Sequence, residues 1–282
     1  MSVGNVLFNR KATLAIGKKI KGSKGPVEPI DAREFRTRLK FKIVKDETGD
    51  ANKSTISIFN ISEDSKTFLE QDDLVVFFNA GYGDNVSNVF FGDLIRFNEK
   101  RNGPDILTTL EIGDGEVALR ESNVQIGLGP GATNHQVIDI AVKAFNVSKS
   151  FTTDIPLIKY QNGFSYSGSA KKLMIEQMKA VKLTWSIQSG EMQILQKLQT
   201  DEQTAIEISP KTGLIGMPTK TKDGVEFISL LNAGLRPGRS VVLNSKRFLD
   251  GSGANVKLQK TTFEGDTHEG KWQVKCEGLI IK

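Results

Sequence analysis

The chain has 282 residues, 38% of them hydrophobic and 25% charged, with a formal net charge of +5. That balance excludes a disordered chain, and at ~150 residues per domain the length allows two or three cores. No apolar run approaches the ~20 residues of a membrane-crossing helix, and the N-terminus lacks the apolar stretch and cleavage site of a signal peptide, so neither membrane insertion nor export is expected.

Between Arg10 and Lys24 lie six basic residues (Arg10, Lys11, Lys18, Lys19, Lys21 and Lys24) and no acidic one. Single-strand binding would interleave aromatics for stacking, and only Phe8 stands at the edge of this run. A solvated face or a docking arm for an acidic neighbour is expected, without specific nucleic-acid binding.

Strands follow to about residue 118. Phe35, Leu39, Phe41 and Ile43 alternate with Arg36, Arg38, Lys40 and Lys42, which predicts one long strand with an apolar and a basic face. Four cations at period two repel one another, so this face needs counter-charges or solvent. Solvation alone accounts for such a face, and the alternative is that the four form a candidate interface for an acidic surface on a neighbour. Further strands are expected at Thr55–Ile61, Leu74–Tyr82, Val89–Ile95 and Leu107–Ile112, with a helical turn or two between Ser62 and Glu70. Turns are expected at Thr48-Gly49-Asp50, Gly83-Asp84-Asn85 and Asn102-Gly103-Pro104. Many short strands at regular spacing predict a barrel or sandwich.

Residues 119–205 mix helix and strand. After a strand at Asn123–Ile126, Thr133 with Gln136 three residues on makes a capping box. Val137, Ile138, Ala141, Ala144 and Phe145 then share one helical face. A second helix opens near Ser169, with Ala170, Leu173, Met174, Met178 and Val181 as its apolar stripe. Trp185–Ile194 reads as a hairpin turning at Ser189-Gly190.

Strands return over residues 206–282, at Val241–Leu243, Val256–Leu258, Lys260–Glu264 and Trp272–Cys276. Pro237-Gly238 marks a reversal, and Asp250–Gly253 and Glu264-Gly265-Asp266 read as turns. The plan loosely echoes the first part, with last strands that end near Gly113 and Gly278. The lone cysteine, Cys276, has no partner for an internal disulfide and shares its parity with Trp272 and Val274, as a small core residue assembled in a reducing cytoplasm would.

Catalytic chemistry finds no foothold in these patterns. Gly127, Gly129 and Gly131 stand between a strand and a helix, but no Lys-Ser/Thr follows and Pro130 removes a backbone donor, so they are turn glycines. His135 and His268, the two histidines, have no ligand partner at metal-binding spacing. Asp266 and His268 read as a polar turn, and Ser169 as a helix cap. Asp72-Asp73 and Asp201-Glu202 are sequence neighbours, which is the wrong placement for glycosidase carboxylates. No enzyme, cofactor or metal is expected.

Several groups of residues, in order along the chain, resemble the baseplate hub proteins of contractile-tailed bacteriophages. They are Asn52, Ile56, Ile58, Asn60 and Ile61, then Ala80-Gly81-Tyr82 and Phe91-Gly92, then Trp185 and Ile187 with Gly190 and Ile194. The longest is Gly213-Leu214-Ile215-Gly216 with Pro218, Gly224-Val225, Leu230-Leu231, Pro237-Gly238 and Val241–Leu243. The resemblance covers residues 35–282. It implies a mainly β fold with an α+β insertion: a tube-like β-barrel over 1–118, an α+β middle domain over 119–205 and a second barrel over 206–282. It further implies a homotrimeric ring in the virion's tail baseplate, assembled in the host cytoplasm, that adapts a sixfold tail tube to a threefold central spike. Tube, spike, tape-measure and other baseplate proteins would be its partners. A component of a phage-derived contractile injection device, or a cell-wall-binding module within 119–205, are the alternative readings.

Overall fold

The computed structural model describes residues 9–20, 27–47, 52–201, 203–222, 224–245 and 253–281. Lys21, Lys24, the Thr48–Asp50 turn, Glu202 and most of the Asp250–Gly253 turn lie outside them.

The first part of the chain forms β1 (Arg10–Lys18), β2 (Ile30–Phe35), β3 (Leu39–Asp46), β4 (Asn52–Phe59), α1 (Glu63–Leu69), β5 (Leu74–Tyr82), β6 (Asn85–Asn102) and β7 (Asp105–Asp114). The last part forms β15 (Ile206–Ile208), β16 (Leu214–Lys220), β17 (Gly224–Leu230), β18 (Ser240–Leu243), β19 (Ala254–Asp266) and β20 (Trp272–Ile281). All these strands join one 13-stranded sheet, ordered β16-β17-β20-β19-β3-β4-β7-β6-β5-β1-β2, with β18 on β19 and β15 on β18. Every neighbour pair is antiparallel except β15·β18.

The order repeats. Strands run 3-4-7-6-5-1 in the first half and 16-17-20-19-18-15 in the second. The correspondence extends to irregularities: β6 is bulged between Leu94 and Arg96, β19 between Leu258 and Lys260. After its bulge, each strand sets a cation opposite a glutamate, Arg96 opposite Glu111 and Lys260 opposite Glu277. A shared bulge is a built feature of a strand rather than noise.

The sheet curls around one core. Phe41 on β3 lies 4.8 Å from Phe78 on β5, four strands away along the sheet, and 5.3 Å from Trp272 on β20. The buried cluster runs from Leu14 to Cys276 without a break between the halves. Separate closed barrels are not what the ladders form: among the described residues neither half closes on itself, and β3·β19 joins them edge to edge. Close approach of strands fixes some glycines. A Cβ at Gly278 would run into the Lys257 carbonyl of β19.

Several sequence expectations change here. The strand expected from Phe35 to Ile43 is two strands, broken at Arg36–Arg38. Val256–Leu258 and Lys260–Glu264 are one bulged strand, and Gly265 and Asp266 belong to it, so the reversal falls at 267–271. Residues 10–18 of the basic run are a strand, with Leu14, Ala15 and Ile16 buried against β5 while Lys11 and Lys18 stay exposed.

Between the halves lie α2 (Glu116–Glu121), β8 (Asn123–Leu128), β9 (Ala132–Thr133), α3 (Asn134–Phe145), β10 (Ser148–Thr152), β11 (Lys159–Tyr160), β12 (Phe164–Ser169), α4 (Ala170–Val181), β13 (Leu183–Gln188) and β14 (Glu191–Gln196). They enclose a second core, built on the expected stripes of α3 and α4, where Phe145 stacks on Trp185 at 5.6 Å. The Thr133–Gln136 capping box is formed. Ser169 occupies the cap position of α4, but its side chain makes no capping bond. Ser189 and Gly190 both have positive φ (53° and 74°), as a two-residue hairpin turn requires.

Because Phe41 touches both halves of the sheet, Phe41→Ala should cost about 3–5 kcal/mol of unfolding free energy. Urea denaturation should show a lower midpoint and a single transition, since both halves share the core.

Candidate assembly surface

Arg36, Arg38, Lys40 and Lys42 all leave the core, as alternation requires, and each finds a counter-charge within the chain. Arg36 and Arg38 stand in the break between β2 and β3, and Lys40 and Lys42 on the outer face of β3. The ladder β3·β19 sets Lys40 opposite Asp266 and Lys42 opposite Glu264. Arg38 donates to Asp266 at 2.7 and 3.0 Å and also to Glu269, and its guanidinium lies 4.9 Å from the Phe59 ring. Lys40 Nζ is 3.5 Å from Asp266, and Lys42 Nζ is 3.9 Å from Glu264. Arg36 donates to Glu34, two residues before it, at 2.7 and 3.0 Å and is 87% exposed.

Asp266 is the residue that sequence reasoning undervalued. Its side chain is 8% exposed, and its carboxylate accepts both Arg38 and the backbone N–H of His268 at 3.0 Å. Burial pushes its pKa up, but Arg38 and the His268 amide outweigh burial and hold it down at about 2. The His268 ring contacts Thr267 through Nδ1 rather than Asp266, so the two are no acid–base pair. The signal was the spacing of Asp266 and Glu269 in a turn, legible only once β3 is known to lie beside β19.

The other candidates keep structural roles. His135 Nε2 lies 2.8 Å from the Ile155 carbonyl. The amides of Gly131 and Ala132 are bonded to the Tyr160 and Gly129 carbonyls, so the glycine loop spends these donors internally. Burial pushes the Cys276 thiol up. Among the described residues, no three His, Cys, Asp or Glu side chains are placed to hold a metal ion, and no helix is long and apolar enough to cross a membrane.

Buried charge also ties the middle unit to the sheet. The Ser189-Gly190 turn inserts between Lys45 and Asp114: Lys45 Nζ donates to Ser189 Oγ at 2.8 Å, and Asp114 accepts the Ser189 amide at 2.6 Å. Lys257, fully buried, bonds Glu47 at 2.8 Å and the carbonyls of Gln196 and Lys197 at 3.2 Å. Asp201 lies 3.6 Å from both Arg236 and Arg239. Removing one member of such a pair strands the other, so these contacts fix the placement of the middle unit more than they add stability.

Two carboxylates should give pH dependences of opposite sign. Burial raises Asp114 to about 6, against the opposing pull of Lys45 and the Ser189 and Gly190 amides. The folded chain then holds a proton that the unfolded chain releases, so its contribution to stability falls as pH rises from about 4 to about 6. Asp266, depressed to about 2, contributes stability that is present above about 4 and lost as pH falls towards 2. Urea unfolding from pH 2 to 7 should show both slopes, Asp114→Asn removing the first and Asp266→Asn the second.

No known family profile matches the sequence, and no curated protein resembles it in sequence. Solved structures do resemble it over nearly all of its length. The 43 kDa tail protein of prophage MuSo2 from Shewanella oneidensis superposes with a TM-score of 0.62 at 10% identity, covering 96% of this chain and 98% of that one. A tail protein from Neisseria meningitidis MC58 gives 0.60 at 11% identity, with 97% of each chain covered. The Escherichia coli c3393 protein, a type VI secretion component described as similar to the T4 tail proteins gp27 and gp5, gives 0.58 at 11% identity over 96% of this chain and 77% of that one. The chain thus has the hub-like fold of phage tail proteins, a curled sheet of two like halves with a small helical unit between them.

Proposed function

We propose that this protein is a baseplate hub subunit, a structural component that forms a homotrimeric ring between a sixfold tail tube and a threefold spike. The observation that carries this reading is the repeated strand order, 3-4-7-6-5-1 and 16-17-20-19-18-15, within one chain of tail-protein fold. Three such chains present six similar halves around a threefold axis, which matches a sixfold partner on one side and a threefold partner on the other. Each half of the curled sheet acts as one tube-like unit, residues 1–118 and 206–282, with 119–205 as the domain between them. Tube, spike, tape-measure and baseplate proteins are its partners, it sits in the virion tail, and it performs no catalysis.

A second reading has an observation of its own. The likeness to the type VI secretion component, and to VgrG in Francisella PdpA–VgrG complexes, supports the same role in a phage-derived injection device. The ring and its contacts would be unchanged. A cell-wall-binding module gains less support, because the rings of Tyr160, Phe164 and Tyr166 pack against the core of the middle unit instead of standing free for a sugar.

The basic ribbon serves this role at its two exposed ends. Arg38 and Lys40 converge on the buried Asp266, whereas Arg36 and Lys42, 87% and 62% exposed beside Glu34 and Glu264, are the two that meet an acidic surface on an adjoining tube or baseplate subunit. Charge at such a rim gives orientation more than affinity.

The purified protein should have a mass near 93 kDa, three chains of 31.0 kDa, or hold three chains per complex once its spike is added. A monomer at high concentration with the spike present would refute the ring. Arg36→Glu with Lys42→Glu should weaken docking on the tube end ~3- to 10-fold without changing thermal stability, and added salt should weaken the wild-type contact likewise. Unchanged docking in a pull-down on assembled tubes would reduce the ribbon to a solvated face.

A further inference from the structure

The contact that joins the two halves uses only half of what the repeat offers. Inside the chain, β3 lies along the bulged end of β19, from Lys40 opposite Asp266 to Asp46 opposite Lys260. By the repeated order, the counterpart of β3 is β16 and the counterpart of β19 is β6. Among the described ladders, β16 pairs on one side only, with β17. The end of β6 from Arg96 to Asn102 likewise pairs only with β7.

Burial tells the same story. Lys260–Asp266, covered by β3, has Thr261, Thr262, Phe263, Gly265 and Asp266 buried. Its counterpart on β6 is exposed at Arg96 and at every residue from Asn98 to Asn102. Strand β3 alternates buried and exposed, whereas β16 is exposed at Ile215, Gly216, Met217, Thr219 and Lys220. Exposed apolar side chains stand beside both open segments: Met217 is 63% and Ile215 38% exposed on β16, and on β7 Ile106, across from Arg101 of β6, is 42% exposed.

We infer that β16 of one chain pairs antiparallel with the Arg96–Asn102 end of β6 in a second copy, repeating between chains the β3·β19 contact made within each chain. This rests on the ring reading above and specifies its interface. A head-to-tail contact of this kind closes into a ring when its rotation matches that of the internal joint.

The register follows from the ladders already given. Arg96 corresponds to Lys260 through Glu111 and Glu277, so Lys100 corresponds to Glu264. Lys42 is opposite Thr55, which is opposite Glu111, while Thr219 is opposite Glu226, which is opposite Glu277; Thr219 therefore corresponds to Lys42. Since Lys42 faces Glu264, Thr219 faces Lys100 of the second copy, and Lys220 faces Glu99. That adds a cation to a carboxylate that already holds Lys66 at 3.0 Å in its own chain. Pro218 has no N–H to give, so the ladder is confined to the residues after it, and Met217 and Ile215 contribute side-chain contact towards the hairpin tip. The same proline and the bulge beside it bar indiscriminate strand addition at this edge.

The test uses paired cysteines in the full chain. Directly opposed antiparallel residues lie ~4.5–5.5 Å apart between Cα atoms, within disulfide reach. Thr219→Cys with Lys100→Cys should give, on mild oxidation, covalent species up to three chains and none larger, while either substitution alone gives none. Cys276 is buried and stays silent. The comparison pair, Thr219→Cys with Arg33→Cys, places the second thiol on β2, the opposite edge of the sheet, and should not cross-link. A protein of trimeric mass in which Thr219/Lys100 stays uncross-linked, or in which Thr219/Arg33 links instead, would overturn this interface while leaving the ring standing. A monomer under all conditions would overturn the ring itself, and this interface with it.

Discussion

The antiparallel ladder between β3 and β19 is the contact on which the rest of the structure depends. It brings residues 40–46 beside residues 260–266, more than 200 positions later in the chain, and turns two half-sheets into one. Without it Phe41 would have no Trp272 to meet, and the core that runs from Leu14 to Cys276 would divide. The Arg38–Asp266 pair sits at the end of this ladder and closes it with a charge-assisted, bidentate bond. Such long-range pairing is slow to form, since loop closure precedes the reward of contact. The middle unit is inserted between the partners of the ladder, so its folding and theirs are linked.

The basic ribbon shows how a pattern can be read correctly and still mislead. Alternation placed Phe35, Leu39, Phe41 and Ile43 inside and the four cations outside, and both placements hold. The inference that these cations need opposite charge was sound physics as well. Much of that charge lies in the same chain, on Glu264, Asp266 and Glu269, because β19 is the neighbour of β3. Nothing local to residues 35–43 encodes that neighbour. The break at Arg36–Arg38 was equally hidden, since it carries neither glycine nor proline.

Elsewhere legibility followed locality. The capping box at Thr133, the apolar stripes of α3 and α4, the limits of β5 and the Ser189-Gly190 turn are set by residues a few positions apart, and each stood in the sequence. The edge strands did not: β16 carries Gly216 and Pro218 and pairs through a bulge, so its alternation is broken. Strand β1 was masked by its cations, which flank a short buried run at Leu14–Gly17. The buried charges Lys45, Asp114, Lys257 and Asp201 were invisible for the same reason as Asp266. Each is defined by a partner on a distant strand or in the middle unit.

The repeat gives the molecule its proposed use. A chain with two like halves and a fixed joint between them can present sixfold character from a threefold assembly, and the middle unit, anchored by buried ion pairs, marks every second position. Electron microscopy of purified particles viewed end-on tests this most directly. The account predicts a closed ring of six similar lobes in which projecting density from the middle units recurs three times. Isolated single-chain particles, a twofold dimer, or a ring whose lobes do not number six would contradict it.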